Sequence, residues 1–179
     1  NNTSDTAGTG NVKKDIEVTF ATDLSEYEKY MTADSDEYLV LVNRQNTVDA
    51  SLSPSDLVDV RDTRSDRSAR KMREYAEKSL EAMFNEMRAA GYTDVSVTSA
   101  YRSYDEQKNL YAGYVTSEMS RDPSLTEEAA RAVVDTYSAR EGTSEHQTGL
   151  CCDMHNLPSA DQRFAKQDAY KWLVENCYK

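Results

Sequence analysis

Between Ser65 and Gln107 the hydrophobic period of the sequence changes twice, and this limits the fold more than any other feature. Met72, Tyr75, Ala76, Leu80, Met83, Phe84 and Met87 recur every three or four residues with charges between them, which is one face of a helix starting near Ser65 and closed by Gly91. Val95 and Val97 then alternate into a strand ending at Ser99. Ser103 follows as a helix N-cap, and Glu106 three residues on completes a capping box for a helix striped with Leu110, Tyr111 and Tyr114. Further along, Thr126 caps a third helix expected to reach about Arg140, Gly149 to Met154 reads as a short strand, and Asp161 opens a final helix carrying Phe164, Tyr170, Trp172, Leu173 and Cys177. Upstream, Ile16, Val18 and Phe20 alternate as a strand. Tyr38 to Val42 is a continuous apolar run expected to be a strand buried on both faces, and residues 43–64 read as a long loop. Helices mixed with short strands in this way make an α+β domain, with a small antiparallel sheet packed by several helices.

Residues 1–14 hold one apolar side chain larger than alanine, Val12, and read as a flexible stalk before a domain over 15–179. Only 38% of the 179 residues are apolar, so the core must be economical. With 21 Lys+Arg against 32 Asp+Glu the net charge is −11, which argues against nucleic acid and anionic membranes as partners, because affinity for both comes largely from clustered cations. No apolar run approaches the ~18 residues of a membrane span. Three cysteines, Cys151, Cys152 and Cys177, are too few for a disulfide framework.

One patch is dense in chemically capable groups: Ser144-Glu-His-Gln-Thr-Gly-Leu-Cys-Cys-Asp153-Met-His155, which contains both histidines of the chain. His146 and Asp153 could converge on a zinc ion, since zinc takes neutral imidazole and carboxylate and Gly149 permits a tight bend between them. From residue chemistry alone, such a pair is more commonly an ordinary solvated or hydrogen-bonded surface pair. His155 would share a strand face with Asp153 and is a weaker third donor. Cys151 shares that face, and Cys152 points behind it. The second patch is Ser99-Ala-Tyr-Arg102-Ser-Tyr-Asp-Glu-Gln107, where a strand end meets a helix start. There Arg102 could clamp a carboxylate or a developing oxyanion, with Gln107 as a second donor; an arginine at such a place is also commonly just a surface charge.

Taken together, Ser99-Ala-Tyr-Arg-Ser-Tyr…Gln107…Leu110-Tyr111, Ser144-x-His146-Gln-Thr-Gly-Leu-x-x-Asp153 and Tyr170-Lys-Trp-Leu-x-Glu-Asn176 resemble the VanY-type D-alanyl-D-alanine carboxypeptidases, a zinc peptidase family that also includes D-Ala-D-Ala dipeptidases. The resemblance runs from about Tyr38 to Lys179. It implies zinc as cofactor, His146 and Asp153 as metal ligands, Arg102 as the catalytic residue facing the tetrahedral intermediate, and Gln107 and Ser144 as substrate-binding residues. It also implies a secreted or envelope-tethered monomer removing the terminal D-Ala from peptidoglycan stem peptides. An inactive cell-wall peptide-binding domain and an L,D-cleaving or dipeptidase relative are the alternatives. Members of the family continue to a Glu-x-x-His arrangement that supplies the general base and the third zinc ligand, and neither residue occurs up to Lys179. The expectation is therefore either that roughly 40 C-terminal residues of the natural protein lie beyond this sequence, within normal domain length, or that the molecule cannot hydrolyse its ligand.

Overall fold

A computed structural model describes residues 18–31 and 36–178. The expected stalk and Ile16 lie outside the described residues. The α+β reading holds: the described chain carries five α-helices and two two-stranded antiparallel sheets. In chain order these are α1 (Glu28–Met31), β1 (Leu57–Asp59), β2 (Lys71–Arg73), α2 (Glu74–Ala89), β3 (Ser96–Ser99), α3 (Tyr104–Arg121), α4 (Glu127–Val134), β4 (Asp153–His155) and α5 (Asp168–Asn176).

The main core lies between α2, β3 and the C-terminal segment. Phe84, Met87, Val95 and Val97 are buried there with Met72, Leu80, Phe164 and Leu173. A second cluster, Tyr111, Val115, Ala130 and Val134, joins α3 to α4. The predicted caps are in place: Ser103 Oγ accepts from the Glu106 amide while the Glu106 carboxylate accepts from the Ser103 amide, and Thr126 Oγ1 accepts from the Ala129 amide.

Several expected boundaries are corrected. Helix α2 begins at Glu74, because Met72 pairs with Val58 across the β1–β2 ladder and packs into the core from a strand. Helix α4 stops at Val134, and α5 starts at Asp168, after a 3₁₀ turn over Phe164–Lys166. Val18 to Phe20 are not in a strand, and Val18 and Phe20 are exposed. The run Tyr38 to Val42 also forms no ladder among the described residues: Leu39 and Leu41 are 79% and 67% exposed, and only Val42 is buried. An apolar run marks a buried strand only when a neighbour supplies hydrogen bonds on both sides. Among the described residues no helix is long and apolar enough to cross a membrane.

Two features of the fold position the site. Strand β3 pairs with β4 in the register Ser96–His155 and Val97–Met154, and then slips so that Ser99 faces Asp153. Thr98 is the extra residue of this bulge, and its hydroxyl donates to the Asp153 carbonyl at 3.2 Å. Bulges of this kind re-aim the side chains beside them. The second feature is the buried amide of Gln147, whose Nε2 donates to the carbonyls of Asp49 (2.9 Å) and Leu52 (3.2 Å) and so holds the long loop against the turn that carries His146.

Candidate active site

His146 stands in a short 3₁₀ turn, Glu145–Thr148, that ends at Gly149 with φ +69°. A Cβ at residue 149 would sit 3.0 Å from Leu57 Cδ2 and 3.1 Å from Arg73 Cγ, so this position combines left-handed backbone with a close approach. Gly149→Ala is expected to destabilise the domain by about 1–2 kcal/mol, the cost of left-handed backbone for an L-residue, measured by urea denaturation. A variant as stable as the parent would show that this turn tolerates a side chain.

The imidazole is fixed at both nitrogens. His146 Nδ1 lies 2.6 Å from the Ala100 carbonyl oxygen, which can only accept, so Nδ1 carries a hydrogen and Nε2 is the nitrogen left to hold a proton or a metal. Nε2 faces Asp153 Oδ2 at 3.4 Å. Two ligand atoms held ~2.0–2.2 Å from a tetrahedral zinc are ~3.3–3.6 Å apart, so the pair has the spacing that the metal requires. The backbone carbonyl on the far nitrogen is the outer partner that metal-bound histidines use to set ring orientation.

Without metal the pair shares a proton. Burial opposes a charged ring, but the hydrogen bond to Asp153 and the neighbouring Cys151 outweigh it, and the imidazole is pushed up to about 10. Hydrogen bonding from His146 holds Asp153 below the usual carboxylate range against its desolvation, with Arg102 and His155 adding to the effect. Cys152 packs against the main core, and burial pushes its thiol up to about 12, so it stays protonated. His155 is buried, and its Nδ1 accepts from the Leu157 amide at 3.2 Å.

Arg102 reaches the same place from the other patch. Its backbone amide donates to the His146 carbonyl at 3.1 Å, and its Nη2 donates to Ser99 Oγ at 2.9 Å. Its Nη1 donates to Gln107 Oε1, while Gln107 Nε2 donates to the Ala139 carbonyl at 2.6 Å. Gln107 is only 2% exposed, and both ends of its amide are engaged within the protein. Ser144 lies two residues before His146 at the wall of a cleft of about 420 Å³, which His146, Ala139 and Arg44 also line. The structure thus brings Arg102, Gln107, Ser144, His146 and Asp153 to one junction. Among the described residues, no cluster of three or more His, Cys, Asp or Glu side chains could hold a metal.

Sequence reasoning did not single out Ser99, Ala100, Ala139 or Gln147 as parts of the site. Ala100 and Ala139 act through backbone carbonyls, which leave no side-chain signal. Gln147 stands next to His146 in the motif, and its adjacency was the one available pointer.

A histidine–aspartate pair and an oriented arginine beside an open cleft are among the side-chain groups that hydrolases of peptide or ester bonds use. The VanY family profile, described as D-alanyl-D-alanine carboxypeptidase, matches residues 69–179, and the chain belongs to that family. It is 31% identical over 97% of its length to a Bacillus subtilis protein named carboxypeptidase YodJ, and 30% identical over 97% to a D-alanyl-D-alanine carboxypeptidase of Enterococcus faecalis. It spans 62% and 58% of those two relatives. Among solved structures it resembles the LdcB LD-carboxypeptidase, with 30% identity and TM-score 0.67 over 79% of this chain and 64% of that one. It also resembles VanYB in complex with D-alanine-D-alanine, with 29% identity and TM-score 0.60 over 79% and 71%, and a VanY D,D-pentapeptidase in complex with Zn(II), with 29% identity and TM-score 0.61 over 79% and 72%.

Proposed function

We propose that this chain carries the metal-binding and anion-clamping part of a zinc D,D-carboxypeptidase that removes the terminal D-Ala from peptidoglycan stem peptides outside the cell membrane. The observation that supports this most directly is the His146–Asp153 pair, whose 3.4 Å separation and fixed tautomer suit zinc. When bound, zinc would polarise the scissile carbonyl and acidify a water. Arg102, braced by Gln107 and Ser99, would stabilise negative charge developing on the scissile carbonyl oxygen. In this reading Gln107 orients Arg102, and Ser144 offers its hydroxyl to the substrate from the cleft wall.

Hydrolytic zinc sites use three protein ligands and a general base, and we assign the third ligand and the base to residues outside these 179. The 179-residue chain alone is then expected to bind zinc weakly and to release no D-Ala, whereas the full-length protein is active. Metal analysis after dialysis, run beside an assay for free D-Ala, tests both halves. Full activity from the short chain would overturn the assignment of ligands. The similarity to the LdcB LD-carboxypeptidase favours a second reading, in which the same site cleaves an L,D bond; paired peptides ending in D-Ala-D-Ala and L-Lys-D-Ala separate the two.

Zinc must displace the proton shared by His146 and Asp153. Because the imidazole holds that proton up to about pH 10, metal binding at neutral pH releases it, and zinc affinity should rise roughly tenfold per pH unit from 7 to 9. Competition titrations with a chelator of known affinity measure this slope. A flat profile would mean that His146 enters the site already neutral.

A further inference from the structure

The two candidate metal ligands are held in different ways. His146 is fixed through its own ring, by the Ala100 carbonyl, and through a turn that Gln147 ties to the long loop. The side chain of Asp153 is 60% exposed and fills no part of the core, so its carboxylate goes where the backbone of β4 carries it. A ligand has to be held within about 0.5 Å of its productive position, and that backbone therefore needs a fixture of its own.

The bulge at Thr98 supplies it. Val97 is committed on its other edge, where its amide donates to the Asp62 carbonyl and its carbonyl accepts from the Arg64 amide, both at 2.9 Å, around a parallel bridge to Thr63. Strand β3 is thus anchored on both edges just before it slips, and the extra residue is absorbed at Thr98. Thr98 is only 6% exposed, and a buried carbonyl that loses its ladder partner is costly. Arg70 meets that need from just before β2: its Nε donates to the Thr98 carbonyl at 3.1 Å. Arg70 is itself anchored, its amide donating to Thr63 Oγ1 at 3.2 Å and its carbonyl accepting from the Val60 amide at 2.7 Å. The Thr98 hydroxyl closes the other side, on the Asp153 carbonyl at 3.2 Å. The slip also brings Ser99 opposite Asp153, and Ser99 Oγ accepts from Arg102 Nη2 at 2.9 Å. One irregular residue therefore links the backbone of the carboxylate to the strand end that braces the guanidinium.

We propose that Thr98 is a positioning residue for the metal site: its hydroxyl, with Arg70 bracing its carbonyl, fixes the backbone of Asp153 so that the carboxylate can share an ion with His146 Nε2. This rests on the reading of His146 and Asp153 as zinc ligands. Thr98 acts through Asp153 and touches no metal itself.

Three variants of the full-length protein test it. Thr98→Val keeps the branched shape and removes the hydroxyl, Thr98→Ser keeps the hydroxyl and removes the methyl, and Arg70→Met removes the brace. Each is compared with the parent for zinc affinity by chelator competition, for its urea midpoint and, in the metal-free state, for the ring-nitrogen resonances of His146. Thr98→Val should weaken zinc binding about tenfold, as loss of an outer partner does at a metal site, and shift the His146 resonances; Arg70→Met should do so about threefold. Thr98→Ser should bind zinc within about twofold of the parent, although it gives up a buried methyl and unfolds at lower urea. Affinity that follows the hydroxyl rather than the urea midpoint is the mark of positioning. If Thr98 only packs β3, affinity and resonances would follow stability, with Thr98→Ser no better than Thr98→Val, and the proposal would be overturned. Unchanged affinity and resonances in Thr98→Val would overturn it as well. Arg70 also faces the Glu106 carboxylate, and if it acts only as a charge its removal should tighten the binding of a dication, a result that would overturn the brace. A parent that binds no zinc, with His146 resonances that still shift in Thr98→Val, would remove the zinc reading and leave the positioning of Asp153 standing.

Discussion

Asp153→Ala is expected to abolish zinc binding and peptidase turnover together in the full-length protein while leaving the domain folded. In the proposed site the carboxylate is one of the two ligands assigned to this chain, and losing it would remove a coordinate bond that the histidine alone could not replace. Its side chain is 60% exposed and fills no part of the core. The metal-free variant loses the pairing with His146 and should unfold at a somewhat lower midpoint, but it keeps the core and remains folded. Turnover should fall to background in protein that is still folded. Measurement of zinc content, circular dichroism and D-Ala release on the same preparation checks all three. A variant that keeps its zinc and its activity would defeat the proposed mechanism.

Arg102→Ala should separate catalysis from binding. If the guanidinium chiefly meets the developing oxyanion, kcat should fall about 10²- to 10³-fold, the usual effect of removing one oxyanion donor, with only a small change in affinity for a D-Ala-D-Ala peptide. In a binding module the loss would appear in Kd, with no turnover to lose. Gln107→Ala should follow the same pattern with a smaller effect, because it frees the guanidinium to wander without removing it. Ser103 and Glu106 cap the intervening helix independently, so these substitutions leave α3 intact.

How far the sequence foretold this arrangement depends on how local each cause is. Ser103 with Glu106, Thr126, and Gly91 at φ +94° act within one helical turn, and their roles were legible from spacing alone. The start of α2 was misplaced by nine residues, since Met72 keeps the helical period while its strand is imposed by β1, beyond the reach of any local pattern. The exposed Leu39 and Leu41 failed for the same reason, because burial belongs to partners that a run of apolar letters does not name. At the site, residue chemistry found both patches, and the family resemblance supplied the reason to bring them together. The bulge at Thr98 and the engaged amide of Gln107 have no signature in the spacing of letters.

The backbone joins His146 to the end of β3 twice, through the ring nitrogen bonded at Ala100 and through the carbonyl bonded by the Arg102 amide. Both links close a loop of more than forty residues, which contains α3 and α4. Such contacts form late in folding, because the entropy of closing a long loop must be met before they contribute. A metal ion binding there would find its ligands together only after that closure and could not template the earlier steps. It would act instead as a clasp on the finished chain, slowing the opening of this loop more than it hastens folding. Amide exchange at residues 100–102 and 146–149 would then slow on metal loading, while exchange in the core of α2 would change little.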